Sequence, residues 1–334
     1  MSPIKISVDL GENFNDPQRF VGCATIADKF PFDTVWFGDH FLPWFHGGNQ
    51  SSYVWSVMPV ALEISKKVRI GPDVTSPIGG RYHPAIIAQA AATLDNMYPG
   101  RFVLGVGSGE AVNEARFFPG DRFPKWRERT ERLCEGITVI RKLWESKEYF
   151  SFEGTYFKLK DVFLYTKPRS KIPIYFSAIG KKATAYAGQY GDHLTTINTP
   201  EKCKQEIFPI FEAAARKAGK DSEAMEKLVL IDIFFGDKDD GVREIKKSGE
   251  AGSSAEGAFG EMDPRRLEEM GKTLEDEKIS ASKYFVSSPD QLIGIIESYQ
   301  KAGATHVDLV ANSFPERINF IGEKVLPYFV QKDS

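Results

Sequence analysis

Eight short runs of β-branched and aromatic residues recur along this 334-residue chain, each followed by a helical pattern, and that alternation constrains the fold more than any other feature. The runs are "IKISVDL" (4–10), "DTVWFGD" (33–39), "KVRIGPDV" (67–74), "RFVLGVG" (101–107), "IPIYFSA" (172–178), "DHLTT" (192–196), "KLVLIDIFF" (227–235) and "HVDLVA" (306–311). Strand–helix alternation produces parallel strands joined by helical crossovers, and eight such units predict a closed α/β barrel of the (β/α)8 TIM type. Such barrels take ~250 residues, so roughly 80 are left for insertions into one barrel domain spanning 1–334. Two stretches suit that role. Residues 146–171 contain "YFSFEGTYFKL", which reads as a small hairpin; residues 236–285 contain "SGEAGSSAEGAFGEMDP", small and turn-rich, which reads as a mobile lid.

In this architecture chemistry collects at the C-terminal ends of the strands. Six of the runs end in polar or glycine-rich sequence: Asp9 and Glu12; Asp39-His40; "DVTSP" (73–77); "GVGSGEAVNE" (105–114); "SAIG" (177–180); and Thr195-Thr196. One such ending is a loop, whereas six on one rim predict a pocket. His40 suits a general base, with Asp39 beside it to orient one ring nitrogen and Trp44 to wall off water. "GVGSGE" is GxGxG and lacks the GxGxxG spacing of a dinucleotide fingerprint, so a nicotinamide site is not indicated. Glu110 places an acid just beyond it. His46, His83, His193 and His306 carry no such context and read as structural or supporting residues, with His193 and His46 the nearest to exceptions.

Composition narrows the remaining classes. A net charge of −3 and a pI near 6.1 argue against nucleic-acid binding, and no apolar run is long enough to cross a membrane. Cys23, Cys134 and Cys203 are widely spaced and fall in helical patterns, as expected for reduced thiols in a cytoplasmic protein. Neither CxxC nor HExxH is present, so no metal is expected.

The pieces "GDHFLPW", "RYHPAIIAQAAATLDNMYPGRFVLGVGSGEAVNE", "LYTKP", "IPIYFSAIG" and "YAGQYGDH" together resemble the luciferase-like barrel enzymes, and within them the branch that uses the deazaflavin coenzyme F420. The resemblance covers most of the chain outside 236–285. It implies a dehydrogenase that moves hydride between a CH–OH group and the deazaflavin, and a homodimer. Residue by residue, it implies that His40 is the base or hydride-transfer partner, Trp44 a pocket wall, Glu110 the proton donor near the deazaflavin pyrimidine edge, and Glu12 a further acid of the substrate pocket. It places a non-proline cis peptide at Asp73–Val74, and cofactor contacts at Asp39, Ser76, Gly107, Ser108, Asn113, Ser177, Ala178, Ile179 and Gly180.

The departures fall on the substrate side, where Thr195, Thr196, Lys202 and Lys283 are the candidates. Relatives that oxidise a sugar phosphate hold it with cations, yet "TTINTPEK" has no lysine at the matching place, and a second such position reads Glu269. The third reads Lys283, which lacks the guanidinium fork suited to phosphate. These losses favour a small or secondary alcohol. The alternatives are a sugar phosphate held by a shifted set (Lys202, Lys204, Arg266, Lys283), a reductase running the other way, or an FMN-dependent monooxygenase on the same barrel.

Overall fold

The computed structural model describes residues 4–11, 16–48 and 50–331. Its strands are β1 (Lys5–Asp9), β2 (Thr34–Phe37), β3 (Arg69–Pro72), β4 (Leu104–Val106), β5 (Phe150–Glu153), β6 (Lys158–Val162), β7 (Ile174–Ser177), β8 (His193–Thr196), β9 (Lys227–Phe235), β10 (Tyr284–Val286) and β11 (His306–Val310). Eight of them run parallel in the order β3-β2-β1-β11-β9-β8-β7-β4. The two ends of that row meet through the bridges Ile70–Phe102 and Thr75–Val106, so the barrel closes. All eight expected strand runs are barrel staves.

Alternation along each stave divides two environments. On β1, Ile6 and Val8 join the large apolar layer between strands and helices, while Ser7 and Asp9 stay outside that layer. Inside the barrel, Trp36, Val103, Tyr175 and Leu228 form an apolar plug, with Trp36 edge-on to Tyr175 at 5.1 Å. Gly105 is required beside it, because a Cβ there would come within 2.2 Å of the Pro72 carbonyl and 3.4 Å of the Trp36 ring. The helices follow from ordinary caps. Pro84 opens Pro84–Met97, as its position in the sequence suggests, and His83 accepts from the Ala85 N–H at 3.2 Å.

The stretch 146–171 carries the antiparallel pair β5–β6. The stretch 236–285 is largely helical (Lys238–Ser248, Pro264–Thr273, Asp276–Ser282) and ends in β10, a strand absent from the sequence reading that lengthens the outer end of β9 through Tyr284–Ile233 to Val286–Phe235. This stretch has its own small core of Val242, Ile245, Ala251, Leu274 and Ile279. It is tied to the barrel through Leu267 and Ala258 against Trp44, and through the Gly47 N–H donating to Glu268 at 2.8 Å. Cys23, Cys134 and Cys203 are buried free thiols, and among the described residues no helix is long and apolar enough to cross a membrane.

Candidate active site

A cavity of about 690 Å³ opens at the C-terminal ends of the staves, large enough for a tricyclic ring and a small substrate together. Its lining includes His40, Trp44, Glu110, Asp39, Asp73, Val74, Ser76, Asn113, Ser177, Ile179 and Lys283, so the structure brings eleven sequence-expected positions to one space. Gly107, Ser108, Ala178, Gly180, Thr195, Thr196 and Lys202 do not line it. Gly107 backs it, since a Cβ there would press on Val74 at 2.5 Å. Ala178, Thr195 and Thr196 are buried in the barrel wall, and Lys202 is exposed on the helix Pro200–Lys202. Glu12 lies outside the described residues. The Asp73–Val74 peptide is cis, at the position the family resemblance implied.

His40 follows β2 and is 9% exposed. Its Nδ1 lies 3.0 Å from the Leu42 carbonyl, and a carbonyl can only accept, so Nδ1 carries the hydrogen and Nε2 the lone pair. Burial pushes the ring down to about 3, with Arg81 nearby acting in the same direction, so it is neutral at physiological pH. Nε2 faces Glu110 Oε2 at 3.4 Å. Burial raises the Glu110 carboxyl to about 7, against the lowering effect of the Asn113 amide that donates to Oε2 at 2.9 Å. Asn113 also accepts from the Phe41 N–H at 2.9 Å, which joins the loop after β2 to the loop after β4. Trp44 lies 5.6 Å from the His40 ring and 5.8 Å from Phe259, closing this side with apolar surface.

The expected partnership of Asp39 with His40 is not what the structure shows. The Asp39 carboxylate is occupied by Arg81, by the Tyr82 hydroxyl at 2.9 Å and by the Thr75 hydroxyl at 2.5 Å. The carboxylate is turned toward these three donors, and for His40 the Leu42 carbonyl takes the accepting role instead. His193 is structural, as its sequence context suggests. It begins β8, so it sits at the opposite end of the barrel, where Nδ1 accepts from the Glu226 N–H at 2.9 Å.

The substrate side holds a surprise for sequence reasoning. Lys283 is almost sealed at 9% side-chain exposure, and its ammonium contacts Asp232 at 2.6 Å and Glu250 at 3.1 Å. These two carboxylates hold its pKa well above the ordinary lysine value despite burial. Around them lie Ser253, Ser254, Ser280, Ser282, Tyr284 and Phe259, all from the 236–285 stretch. At the floor, Asp9 and Asp73 line the cavity with Asp308 beneath them. Burial raises Asp73 to about 7, reinforced by Glu110, and raises Asp308 well above the carboxylate range. The legible signal for Asp308 was an acid inside the otherwise apolar run "HVDLVA"; its partners, 235 and 299 residues away, left no local trace.

Comparison with known proteins agrees with this geometry. Residues 1–306 match the family model described as luciferase-like monooxygenase. The F420-dependent glucose-6-phosphate dehydrogenase of Segniliparus rotundus is 33% identical over 309 residues, covering 91% of each chain. A solved F420-dependent secondary alcohol dehydrogenase, in complex with an F420-acetone adduct, is 36% identical with a TM-score of 0.89, covering 97% of this chain and 98% of its own. The coenzyme F420 dependent tetrahydromethanopterin reductase of Methanopyrus kandleri shares the fold at 21% identity and a TM-score of 0.75, with 98% of this chain and 100% of that chain covered. This chain belongs to the luciferase-like family, in its branch of F420-dependent dehydrogenases.

Proposed function

We propose that this chain is an F420-dependent dehydrogenase that transfers hydride between the CH–OH group of an uncharged secondary alcohol and the deazaflavin. Its F420 dependence and its CH–OH donor class rest on relatives that span almost the whole chain. The observation that carries the uncharged substrate is Lys283. It is the one lysine or arginine among the described residues lining the cavity, and two carboxylates already engage it. A phosphate entering there would meet a site of net negative charge, and its desolvation would go uncompensated.

The bound deazaflavin supplies the carbon that takes up hydride. Val74 and Ile179 offer apolar surface for a flat ring, and Ser76, Ser177 and Asn113 offer polar groups to its edge. The protein's own part is proton management. His40, held as the Nδ1–H tautomer, removes the hydroxyl proton at Nε2 as the carbon–hydrogen bond breaks. Glu110, protonated through much of the neutral range and 3.4 Å from His40 Nε2, supplies the acid next to the base. Trp44 and Phe259 keep water from competing for either proton.

The test is loss of oxidised-F420 absorbance on mixing purified protein with 2-propanol or, separately, glucose 6-phosphate. Bleaching with the alcohol and not with the sugar phosphate is expected. Bleaching with glucose 6-phosphate alone would overturn the uncharged-substrate reading. Oxygen consumption with reduced FMN, and no bleaching with either donor, would overturn the dehydrogenase reading.

A further inference from the structure

The geometry points to a binding site for a hard divalent cation, formed by Asp9, Asp73 and Asp308 at the cavity floor. Each aspartate offers a carboxylate oxygen, and the three oxygens lie within 4.8 Å of one another. Oxygens bound to one Mg²⁺ or Ca²⁺ are up to about 4 to 5 Å apart, so one ion can reach all three with little movement. The residues come from one sector of the barrel: Asp9 ends β1 and pairs with Val310 of the adjacent β11, two residues beyond Asp308, and Asp73 directly follows β3, which is separated from β1 by β2 alone. Barrel closure therefore holds the ligands on rigid backbone.

The cluster is more than three acids in proximity. Asp308 is 0% exposed, and neither of its carboxylate oxygens meets a hydrogen-bond donor among the described residues. A fully buried carboxylate with no partner is rarely tolerated, because its desolvation is otherwise unrelieved. Among the described residues no lysine or arginine forms an ion pair with Asp73 or Asp308, in contrast to Asp39 and Asp232 nearby. A cation seated here would be ligated by carboxylate oxygens alone on the protein side. Such all-oxygen ligation selects Mg²⁺, Mn²⁺ or Ca²⁺ over the softer zinc and copper. Asp9 and Asp73 also face the cavity, so water can complete the coordination shell from that side.

The experiment titrates Mn²⁺ into chelator-treated full-length protein and follows the free-ion signal by electron paramagnetic resonance, without cofactor or substrate. One tight site per chain is expected, with Mg²⁺ or Ca²⁺ displacing the Mn²⁺. Asp308→Asn keeps the size of the side chain and removes its charge, and it is expected to weaken that site about tenfold or more. Asp9→Asn serves as the second variant, and the thermal transition of each variant shows whether it is folded. Absence of a tight site in the parent protein would overturn the proposal. So would undiminished binding in both folded variants, which would place the ion on surface acids.

Discussion

The two ends of the barrel both bury ionisable side chains, and they handle them in opposite ways. At the N-terminal end, Glu226 receives Lys5 at 2.7 Å, the Tyr175 hydroxyl at 2.8 Å and His306 Nδ1 at 2.9 Å, while Asp33 pairs with Arg69 and with Lys5 at 3.5 Å. Two carboxylates face two permanent cations there. Burial alone would raise Glu226, but its hydrogen bond and charge interaction with His306 hold it far below the ordinary range. At the C-terminal end, Asp73, Asp308, Glu110 and Glu114 are all raised, in each case chiefly by burial. A matched network stabilises a fold, whereas an unmatched one keeps groups ready for protons, ions or ligands.

The largest expected effect comes from removing the proposed base at the unmatched end. His40→Ala should lower turnover with a competent alcohol by about 10²- to 10⁴-fold and leave F420 binding largely intact, as measured by steady-state rates and cofactor titration. Unchanged turnover would remove His40 from the mechanism. At the matched end, Glu226→Ala should instead cost about 3 to 5 kcal/mol in urea unfolding, because it strips the acceptor from Lys5, Tyr175 and His306. A loss below ~1 kcal/mol, the scale of an exposed pair, would break the contrast between the ends.

Acidity sharpens the same contrast. A carboxyl lowered in the fold, as in Glu226, contributes stability above the ordinary glutamate pKa of ~4.3, and that contribution is lost as pH falls below it. A carboxyl raised in the fold, as in Glu110, has the opposite sign: its contribution is full below ~4.3 and is lost as pH climbs through about 7. In the proposed mechanism Glu110 is the acid, so kcat/KM for alcohol oxidation should fall as pH rises through about 7, and Glu110→Gln should remove that limb along with most of the turnover. A limb that survives in the variant would assign it to another group. The smallest effect is expected at Lys202, exposed and away from the cavity lining: Lys202→Ala should leave KM for the alcohol unchanged and stability within ~0.5 kcal/mol. A marked rise in KM would return Lys202 to the substrate site.

Much of this was legible in local pattern. The eight staves announced themselves through β-branched runs, and His40, Trp44 and Glu110 through their place just after such runs, since strand ends in a barrel converge on one rim. β10 was not legible, because three residues after a helix carry too little periodicity to register as a strand, and only pairing with the outer end of β9 makes "YFV" one. Nor was the rank of Asp39. Its sequence neighbour suggested itself as partner, but Arg81 and Tyr82, some forty residues on, reach it first.

By itself, then, the sequence determined the barrel, the rim on which its chemistry sits and the family it belongs to, because these depend on periodicity and on residues close together in the chain. Tertiary structure decided the charges. It placed Lys283 between Asp232 and Glu250, chose the Leu42 carbonyl over Asp39 for His40, and gathered Asp9, Asp73 and Asp308 from opposite ends of the chain. Whether a side chain is free, neutralised or in want of a cation depends on which groups lie within a few ångströms, and closing the barrel sets those distances.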